Sequence, residues 1–221
     1  MFGPGGEEHR RQESGSGAGT DLLRAGRTVQ KHAIRSAPPP DSDAQKADLA
    51  VVLDWQKKRA EADCVRADAG FFVNYKVLWG DKNPFPASSA DAVKEFFERV
   101  DSDAGEAVSV MKGRFQRPRP FNAHKEVQPC IRKSRGYSYP SGHSSLSRIF
   151  AAVLGDIIPE RRDEFMKKAD EIALDRVIGG VHYPADIAAG KVFGDELHSR
   201  LLKSPAYLRD IEKIKMLSVK Q

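Results

Sequence analysis

The chain has 221 residues, of which 40% are hydrophobic and 30% are charged, and its net charge is +5. These values are typical of one soluble domain with a sizeable core. The small positive excess attracts anions, but no stacked aromatic-basic pattern, RNA-binding signature or zinc-finger spacing accompanies it, so we expect no nucleic-acid partner. The apolar run over 149–158 contains Asp156 and is shorter than the roughly 18–20 residues of a bilayer span. We therefore expect no integral membrane segment.

The amino-terminal part differs in composition from the rest. Residues 1–36 are polar and rich in Gly, Ser and Arg, and we predict a flexible polar leader there. The stiff stretch Pro38–Pro40 joins it to a predicted all-α domain over residues 37–221. The first residues lack the charged-then-apolar order of a signal peptide. The chain is therefore either cytosolic, or its signal has been removed, replaced or missed at the chosen start.

Apolar periodicity, caps and prolines predict helices throughout this domain. The first helix opens at Ser42, with Gln45 as the partner of a capping box, and runs to about Ala67. Further helices are predicted over 89–100, 103–114, 142–158, 160–178, 184–203 and 208–217, with loops over 71–86 and 116–141. Alternating strand patterns are absent from the sequence, so we predict a single all-α domain.

The sequence contains two cysteines, Cys64 and Cys130. They either form one bridge in an oxidising compartment or remain inert, buried thiols. The sequence does not fix their separation in space, so both alternatives stay open.

Two cations fall on helix faces that periodicity assigns to the core. Arg176 continues an apolar stripe four residues after Ile172, and Lys112 follows Val108 in the same way. A buried guanidinium keeps its proton, so an anion must meet it, either an internal carboxylate or a bound ligand. Two inward cations near helix ends favour one shared anion.

A third cation is presented by prolines. Arg119 lies between Pro118 and Pro120, which fix the backbone and leave the guanidinium little freedom to lose on binding. Arg114 and Arg117 lack that restraint, and we expect both to be solvated surface charges.

Pro140-Ser141-Gly142-His143 precedes a predicted helix, where backbone N–H groups form a ready anion site. The Ser141 hydroxyl can contribute, Gly142 permits close approach, and His143 is placed to donate a proton to a leaving oxygen. The alternative is an ordinary helix start with a capping serine and a surface histidine.

His182 and Asp186 are four residues apart at the start of a predicted helix, so they share a face. Asp186 can accept a hydrogen bond from one imidazole nitrogen and leave the other free to attack. A metal site is less favoured, because no further histidine or carboxylate lies nearby at ligand spacing.

Together these residues resemble a known three-part signature: Lys112 and Arg119-Pro120, then Pro140–His143, then Arg176, His182 and Asp186. The pattern is similar to that of the type 2 phosphatidic acid phosphatase superfamily, which also contains vanadium haloperoxidases. The chain length, the Pro38–Pro40 stretch and Ser138–His143 resemble class A bacterial nonspecific acid phosphatases. The resemblance covers roughly residues 37–205.

The resemblance implies an all-α helical bundle, with the pocket at one end, that hydrolyses phosphomonoesters without a metal or other cofactor. It implies a phosphohistidine on His182, with His143 as the general acid and Asp186 orienting the nucleophile. The residues that it assigns to phosphoryl binding are Lys112, Arg119, Ser141, Gly142 and Arg176. It also implies small phosphate esters as substrates, a periplasmic or secreted location, and a homo-oligomer.

Two positions depart from the family pattern. Asp175 stands where the family usually has Ser, and Tyr137 where it usually has Gly. Because Asp175 falls off the apolar stripe, we expect a tuned rather than a lost site. Tyr137 is expected to alter the rim of the pocket and the range of substrates.

Three other functions fit part of the pattern. A vanadate-dependent haloperoxidase uses the same cations, but those enzymes are usually far longer than 221 residues. A lipid or diphosphate phosphatase at a membrane surface requires a docking segment, for which 208–217 is a weak candidate. A phosphate-binding helical module without catalysis would leave His143 unused.

Overall fold

The computed structural model describes residues 34–218, and every regular element in that range is helical. The helices are α1 (Asp43–Lys58), α2 (Glu61–Ala69), α3 (Tyr75–Trp79), α4 (Ala90–Phe115), α5 (Pro120–Ala123), α6 (Gly142–Ile157), α7 (Arg162–Ile178), α8 (Pro184–Leu201) and α9 (Pro205–Leu217). Short 3-10 turns, Ala87–Ser89 and Pro159–Arg161, precede α4 and α7. The all-α prediction is confirmed.

The centre of the domain is α6. Six consecutive residues, from Ile149 to Leu154, are each 2% exposed or less, so this helix is buried on all sides. It packs along α7 and α8 and against α4. The amino-terminal end of α6, which carries the predicted anion-binding turn, is consequently surrounded by the other helices that supply site residues.

Close packing of α8 on α6 depends on Gly190. A Cβ atom at this position would lie 2.7 Å from both the Ser141 carbonyl oxygen and the Ser144 Cβ. Glycine therefore lets the two backbones approach at the start of α6. There the Ser141 N–H donates to the carbonyl oxygen of Asp186 at 3.0 Å, which joins two of the predicted site segments.

The single helix predicted over 42–67 is wrong, because the chain forms α1 and α2. At the end of α1, Arg59 adopts an extended backbone, and its Nη1 donates to the Ile178 carbonyl oxygen at 2.8 Å. The next helix has its own amino-terminal cap, since the Ala60 N–H donates to the Asp63 carboxylate at 3.0 Å. A long-range contact and a local cap together outweigh the continuous helical pattern.

The helices predicted over 89–100 and 103–114 are one continuous helix, α4. Its apolar face continues through Val100, Ala104 and Ala107, each 1% exposed or less. Burial of this face therefore outweighs the weak helix propensity of the Asp and Ser residues between the two predicted segments.

Both predicted loops contain a short helix. Within 71–86, Asn74 caps α3 by accepting the Lys76 N–H at 2.9 Å, and Tyr75 stacks on Phe97 with ring centroids 4.2 Å apart. Within 116–141, α5 begins at Pro120, which suits the first helical position. Elements this short show no apolar periodicity, so capping and aromatic packing determine them.

Cys64 and Cys130 form a disulfide with Cα atoms 5.7 Å apart, which resolves the alternatives left open by the sequence. The bridge joins α2 to the segment over 124–141. The Asp68 carboxylate reinforces it by accepting from the backbone N–H and from Nε of Arg132, at 2.8 and 3.0 Å. α2 is therefore fastened at two points to the segment that leads into α6.

Most of the predicted leader, residues 1–33, lies outside the described residues, so its boundary at 36 stays a prediction. Ile34 and Arg35 contact the domain: Ile34 packs against the main core, and Tyr139 Oη donates to the Arg35 carbonyl oxygen at 2.7 Å. Between residues 34 and 218, no helix has the length and apolar character needed to cross a bilayer.

Candidate active site

The predicted site residues converge from five parts of the fold. Their positions are the last turn of α4 for Lys112, the cap of α5 for Arg119, the start of α6 for Ser141, Gly142 and His143, the last turn of α7 for Arg176, and the start of α8 for His182 and Asp186.

The turn between α7 and α8 positions His182. Gly180 has a φ of +79°, which favours glycine, and it allows the N–H groups of Val181 and His182 to donate to the Arg176 carbonyl oxygen at 3.1 and 3.2 Å. The turn therefore ties the histidine directly to the end of α7.

The His182 ring is 1% exposed and lies between the carboxylate of Asp186 and the guanidinium of Arg119. Its Nδ1 lies 3.1 Å from Asp186 Oδ2, and its Nε2 lies 3.0 Å from Arg119 Nη1. A guanidinium can only donate, so Nε2 must be the accepting nitrogen and Nδ1 must carry the proton. Burial, with the charges of Arg119 and Lys112, lowers the pKa of His182 well below its ordinary value, although Asp186 opposes this. The ring is therefore neutral, with its lone pair on Nε2.

The Asp186 carboxylate is fully buried and engaged on both oxygens. Oδ2 accepts from His182, from the Tyr183 N–H at 2.9 Å and from the Ser138 hydroxyl, while Oδ1 accepts from Arg117 Nη1 at 2.7 Å. Burial raises the pKa of this carboxyl, but the hydrogen bond and charge of His182 and the charge of Arg117 outweigh burial and hold the pKa below its ordinary value. Asp186 is therefore a fixed anion.

The prediction that Arg117 is a solvated surface charge is wrong. Its side chain is 5% exposed and forms ion pairs with Asp48 on α1, at 2.6 Å, and with Asp186. Asp48 lies four residues before Val52 on the inward face of α1, so its position required a cation. That signal could have predicted a buried cation opposite α1, although not that Arg117 supplies it. Arg114, by contrast, is exposed on α4, as predicted.

Ser138 was also missed as a site residue. Its hydroxyl donates to the Asp186 carboxylate and lies 3.3 Å from His182 Nδ1. A lone serine before the Pro140 turn gives no sequence signal for this contact, which depends on the fold bringing the segment over 124–141 onto α8.

Lys112 is held by the backbone ahead of α6. Its Nζ donates to the carbonyl oxygens of Tyr137 and Ser138, at 2.6 and 3.2 Å. Burial, and then the charge of Arg119, lowers the pKa of Lys112 to about 7. Gly142 lies against its stem, since a Cβ there would be 3.8 Å from Lys112 Cε.

Arg119 is fixed by three carbonyl oxygens. Nε donates to Gly136 at 3.0 Å, Nη1 to Val181 at 3.0 Å, and Nη2 to Arg135 at 3.2 Å. These contacts leave the guanidinium 4% exposed and aimed at His182. The side chain is therefore preorganised by the loop, as its place between two prolines predicts.

Arg176 is a fully buried cation that keeps free donors. Nη1 makes a long hydrogen bond of 3.4 Å to the Gly70 carbonyl oxygen, while Nε and Nη2 have no hydrogen-bond partner among the described residues. Burial lowers the pKa of Arg176 to about 10, so it remains charged at neutral pH. Such a group is costly to bury without an anion, and its free donors suit phosphate oxygens.

The helix α6 begins at Gly142, where the sequence predicts a helix start. Ser141 caps α6 by accepting the Ser144 N–H at 3.3 Å. His143 Nε2 lies 2.9 Å from the Phe71 carbonyl oxygen, so this nitrogen carries a proton. Burial, and then the charge of Arg176, lowers the pKa of His143 to about 3. In the free protein, His143 is therefore neutral and can accept a second proton at Nδ1.

Asp175, the departure from the family pattern, faces α2. Its Oδ1 accepts from Nε and Nη2 of Arg66 at 3.1 and 3.0 Å. The carboxylate is therefore paired with a cation on α2, which agrees with its place off the apolar stripe.

Residues 104–196 match the PAP2 superfamily, and this range contains every predicted site residue. This part of the chain is therefore similar to the PAP2 superfamily.

Two relatives show which kinds of protein the chain is similar to. A non-specific acid phosphatase of Providencia stuartii is 30% identical over 138 residues, which are 60% of this chain and 55% of that protein. A lipid A 1-phosphatase of Rhizobium johnstonii is 34% identical over 103 residues, which are 45% of this chain and 41% of that protein. The chain thus spans about half the length of the curated relatives it matches.

Among solved structures, a bacterial vanadium-dependent iodoperoxidase superposes with a TM-score of 0.57 at 21% identity, over 77% of this chain and 51% of that chain. At this identity the likeness concerns the helical fold alone.

Proposed function

We propose that this chain is an acid phosphatase that hydrolyses phosphomonoesters, with His182 as the nucleophile. The observation that carries the proposal is the state of the His182 ring, whose Nδ1 proton is directed at Asp186 while the Nε2 lone pair faces Arg119 at 3.0 Å. A phosphoryl oxygen that takes over the Arg119 N–H is thereby brought beside the attacking lone pair.

In the first step, the His182 Nε2 lone pair forms a bond to phosphorus and the ester P–O bond breaks. The substrate monoanion passes its proton to Nδ1 of the neutral His143, the leaving oxygen takes that proton, and Asp186 stabilises the charged ring of the phosphohistidine. In the second step, a water oxygen bonds to phosphorus, the N–P bond breaks, and His143 accepts the proton of the water and passes it to the departing phosphate. Free phosphate and the resting enzyme result.

The developing charge on phosphorus is balanced by cations and backbone donors. The charges of Arg119 and Lys112 act on His182, and those of Arg176, Arg119 and Lys112 act on His143, while the Ser141 hydroxyl and Gly142 N–H lie at the start of α6. These five groups are proposed to bind the phosphoryl oxygens. The proposed reaction uses no metal or other cofactor, because the three cations supply the positive charge.

The proton balance favours acidic pH. His143 is neutral in the free protein because its pKa is about 3, so the proton for the leaving oxygen must arrive with the substrate. Phosphomonoesters lose their second proton with a pKa of about 6, so the monoanion that brings the proton predominates below that pH. The lowered pKa of His182 keeps the nucleophile neutral there. We expect kcat/KM to fall as the pH rises above about 6.

His182→Ala tests the nucleophile with p-nitrophenyl phosphate as substrate, and turnover should disappear. The wild-type chain, quenched during turnover with a radiolabelled substrate, should carry an acid-labile phosphoryl label that the variant lacks. His198→Ala is the matched control, because His198 lies on α8 and is bonded to Asp156 at 2.6 Å. Appreciable turnover by His182→Ala would refute the assignment.

A lipid-borne phosphate ester is the second candidate substrate. It is supported by the likeness to a lipid A 1-phosphatase and by two exposed apolar residues eight positions apart on α9, Leu208 at 43% and Met216 at 78%. Hydrolysis of phosphatidic acid in vesicles separates the two classes of substrate. If Met216→Glu weakens that activity but leaves p-nitrophenyl phosphate hydrolysis unchanged, the lipid is favoured.

The Cys64–Cys130 bridge supports a periplasmic or secreted location, because disulfides persist in oxidising compartments. Thiol titration of protein recovered from cell fractions tests this, and a reduced pair in the native compartment would contradict it. Homo-oligomerisation stays a prediction that sedimentation can check.

A further inference from the structure

A second layer of buried charge lies behind the proposed catalytic pair. Arg117, between α4 and α5, bonds through Nη1 to Asp186 Oδ1 at 2.7 Å and through Nη2 to Asp48 Oδ2 at 2.6 Å. The side chains of Arg117 and Asp48 are 5% and 9% exposed, and that of Asp186 is fully buried. Arg117 is therefore a buried cation shared between two buried carboxylates.

The geometry of Arg117 is fixed from several directions. Its guanidinium carbon lies 4.0 Å from the centroid of the buried Tyr183 ring, and the Gln45 side chain accepts from the same Nη2 as Asp48. Gln45 was predicted to complete the α1 capping box, but its side chain serves Arg117 instead. The planar guanidinium thus has one available orientation, with Nη1 directed at Asp186.

Asp48 connects α1 to the first turn of α8. While Oδ2 bonds to Arg117, Oδ1 accepts the Ala185 N–H at 3.0 Å. Ala185 directly precedes Asp186, so the Asp48 carboxylate fixes the backbone beside Asp186. It also balances the charge of Arg117, which holds the Asp186 side chain.

The two oxygens of Asp186 have separate tasks. Oδ2 receives the Nδ1 proton of His182, and Oδ1 receives Arg117. A carboxylate held on only one oxygen can rotate, and a carboxylate next to a second anion gains a proton more readily. Arg117 opposes both effects.

We propose that Arg117 and Asp48 are positioning residues that keep Asp186 ionised and directed at His182, and that this pair sets the acid limb of the activity profile. The inference rests on the proposed function of His182. Neither residue touches the site of phosphorus attack, so both act through Asp186.

The groups that act on Asp186 come from every neighbouring element. They are His182 and Tyr183 at the α7–α8 turn, Ser138 and Tyr139 ahead of α6, Arg117 and Arg119 around α5, Lys112 on α4 and, through Arg117, Asp48 on α1. Of these, Arg117 and Asp48 can be changed without altering a proposed phosphate ligand.

The test compares the pH dependence of kcat/KM in two variants, one that removes a positive charge near Asp186 and one that removes a negative charge. Arg117→Gln leaves Asp48 and Asp186 without their shared cation, so the acid limb should move up by about one pH unit and the plateau should fall about 10- to 100-fold. Asp48→Asn keeps an acceptor for the Ala185 N–H but removes a negative charge, so its acid limb should move to lower pH. A purely structural role would not give opposite shifts.

Arg117→Lys and Arg114→Gln complete the set. The lysine keeps the charge and should restore the acid limb toward the wild-type pH while the plateau stays lowered, because the planar fork is lost. Arg114→Gln, at an exposed position of α4, should leave the profile unchanged. Thermal melting identifies any variant that does not fold, and Asp48→Asn and Arg117→Lys remain informative if Arg117→Gln does not.

Folded Arg117→Gln and Asp48→Asn variants with wild-type acid limbs would overturn this inference and leave the proposed function standing. A wild-type chain without phosphatase activity would instead overturn the proposed function. In that case ¹⁵N shifts of the His182 ring, followed against pH, still decide the inference, since Arg117→Gln should lose the neutral Nδ1-protonated ring at a higher pH than the wild type and an unchanged midpoint would refute the role.

Discussion

Nη1 of Arg119 lies 3.0 Å from Nε2 of His182, so a proposed phosphate-binding group and the proposed attacking atom already touch. Arg119 is held in place by backbone carbonyl oxygens on three sides rather than by a bound anion. When phosphorus approaches Nε2, the Nη1 contact with His182 has to be given up, while the three carbonyl oxygens keep the guanidinium beside the site, which is the condition for effective electrostatic stabilisation.

Arg119→Lys should lower kcat/KM for p-nitrophenyl phosphate by about 100-fold or more, mainly through kcat, because a lysine cannot reproduce the fixed fork. Arg114→Lys, at an exposed position of α4, is the control and should retain wild-type rates. A loss of less than threefold in the Arg119 variant would contradict the role of the fork.

Arg176→Met should stabilise the ligand-free protein by about 1–2 kcal/mol, because it replaces a buried cation with an apolar chain of similar length. Urea unfolding without phosphate measures this. Inorganic phosphate should raise the melting temperature of the wild type but not of the variant. A destabilised variant that phosphate still protects would show that Arg176 is structural.

Inorganic phosphate should bind more weakly as the pH rises through about 7, because Lys112 loses its charge above its pKa of about 7. Calorimetric titrations at about pH 5.5 and about pH 8.5 bracket this change. Since phosphate also titrates in this range, Lys112→Met is the reference, and its affinity should depend less on pH. Parallel slopes in both proteins would exclude Lys112 as the titrating group.

The double change Cys64→Ser and Cys130→Ser should cost about 2–5 kcal/mol of unfolding free energy. Activity should fall as well, because the segment over 124–141 supplies the carbonyl oxygens of Arg135 and Gly136 that hold Arg119. Denaturant melts and rates of the oxidised, reduced and mutated proteins test both effects. Full activity after reduction would show that noncovalent contacts such as Asp68–Arg132 hold this segment without the bridge.

Asp175→Ser, which restores the usual family residue, should lower KM for p-nitrophenyl phosphate about threefold, because it removes a negative charge beside Arg176. Release of Arg66 from its ion pair should cost less than about 1 kcal/mol, since Arg66 is half exposed. Arg66→Gln is the control for the lost ion pair. An increased KM in Asp175→Ser would indicate that the carboxylate supports the charge of Arg176.

Long helices and the inward cations were predictable from the sequence. The boundaries of α6 and the apolar stripe ending at Arg176 follow from periodicity and capping, which are local. The α1–α2 break was not predictable, because it depends on Arg59 reaching the Ile178 carbonyl oxygen far along the chain.

At the candidate site, too, the sequence could predict local pairs of residues but not contacts between distant segments. His182 and Asp186 could be paired because they share one helix face, whereas Arg117 and Ser138 reach Asp186 only after three segments have packed together. Asp48 on an inward face was a readable signal that a buried cation must exist, but the sequence does not say which of the nearby arginines supplies it.

The free donors of Arg176 have a consequence for the rate of sustained turnover. Nε and Nη2, which lack a partner among the described residues, can be satisfied by inorganic phosphate as well as by an ester, since both offer the same oxygens. The proposed constellation therefore retains its own product. Under sustained turnover, accumulated phosphate should act as a competitive inhibitor, and the rate in the cell should depend on how quickly phosphate is carried away.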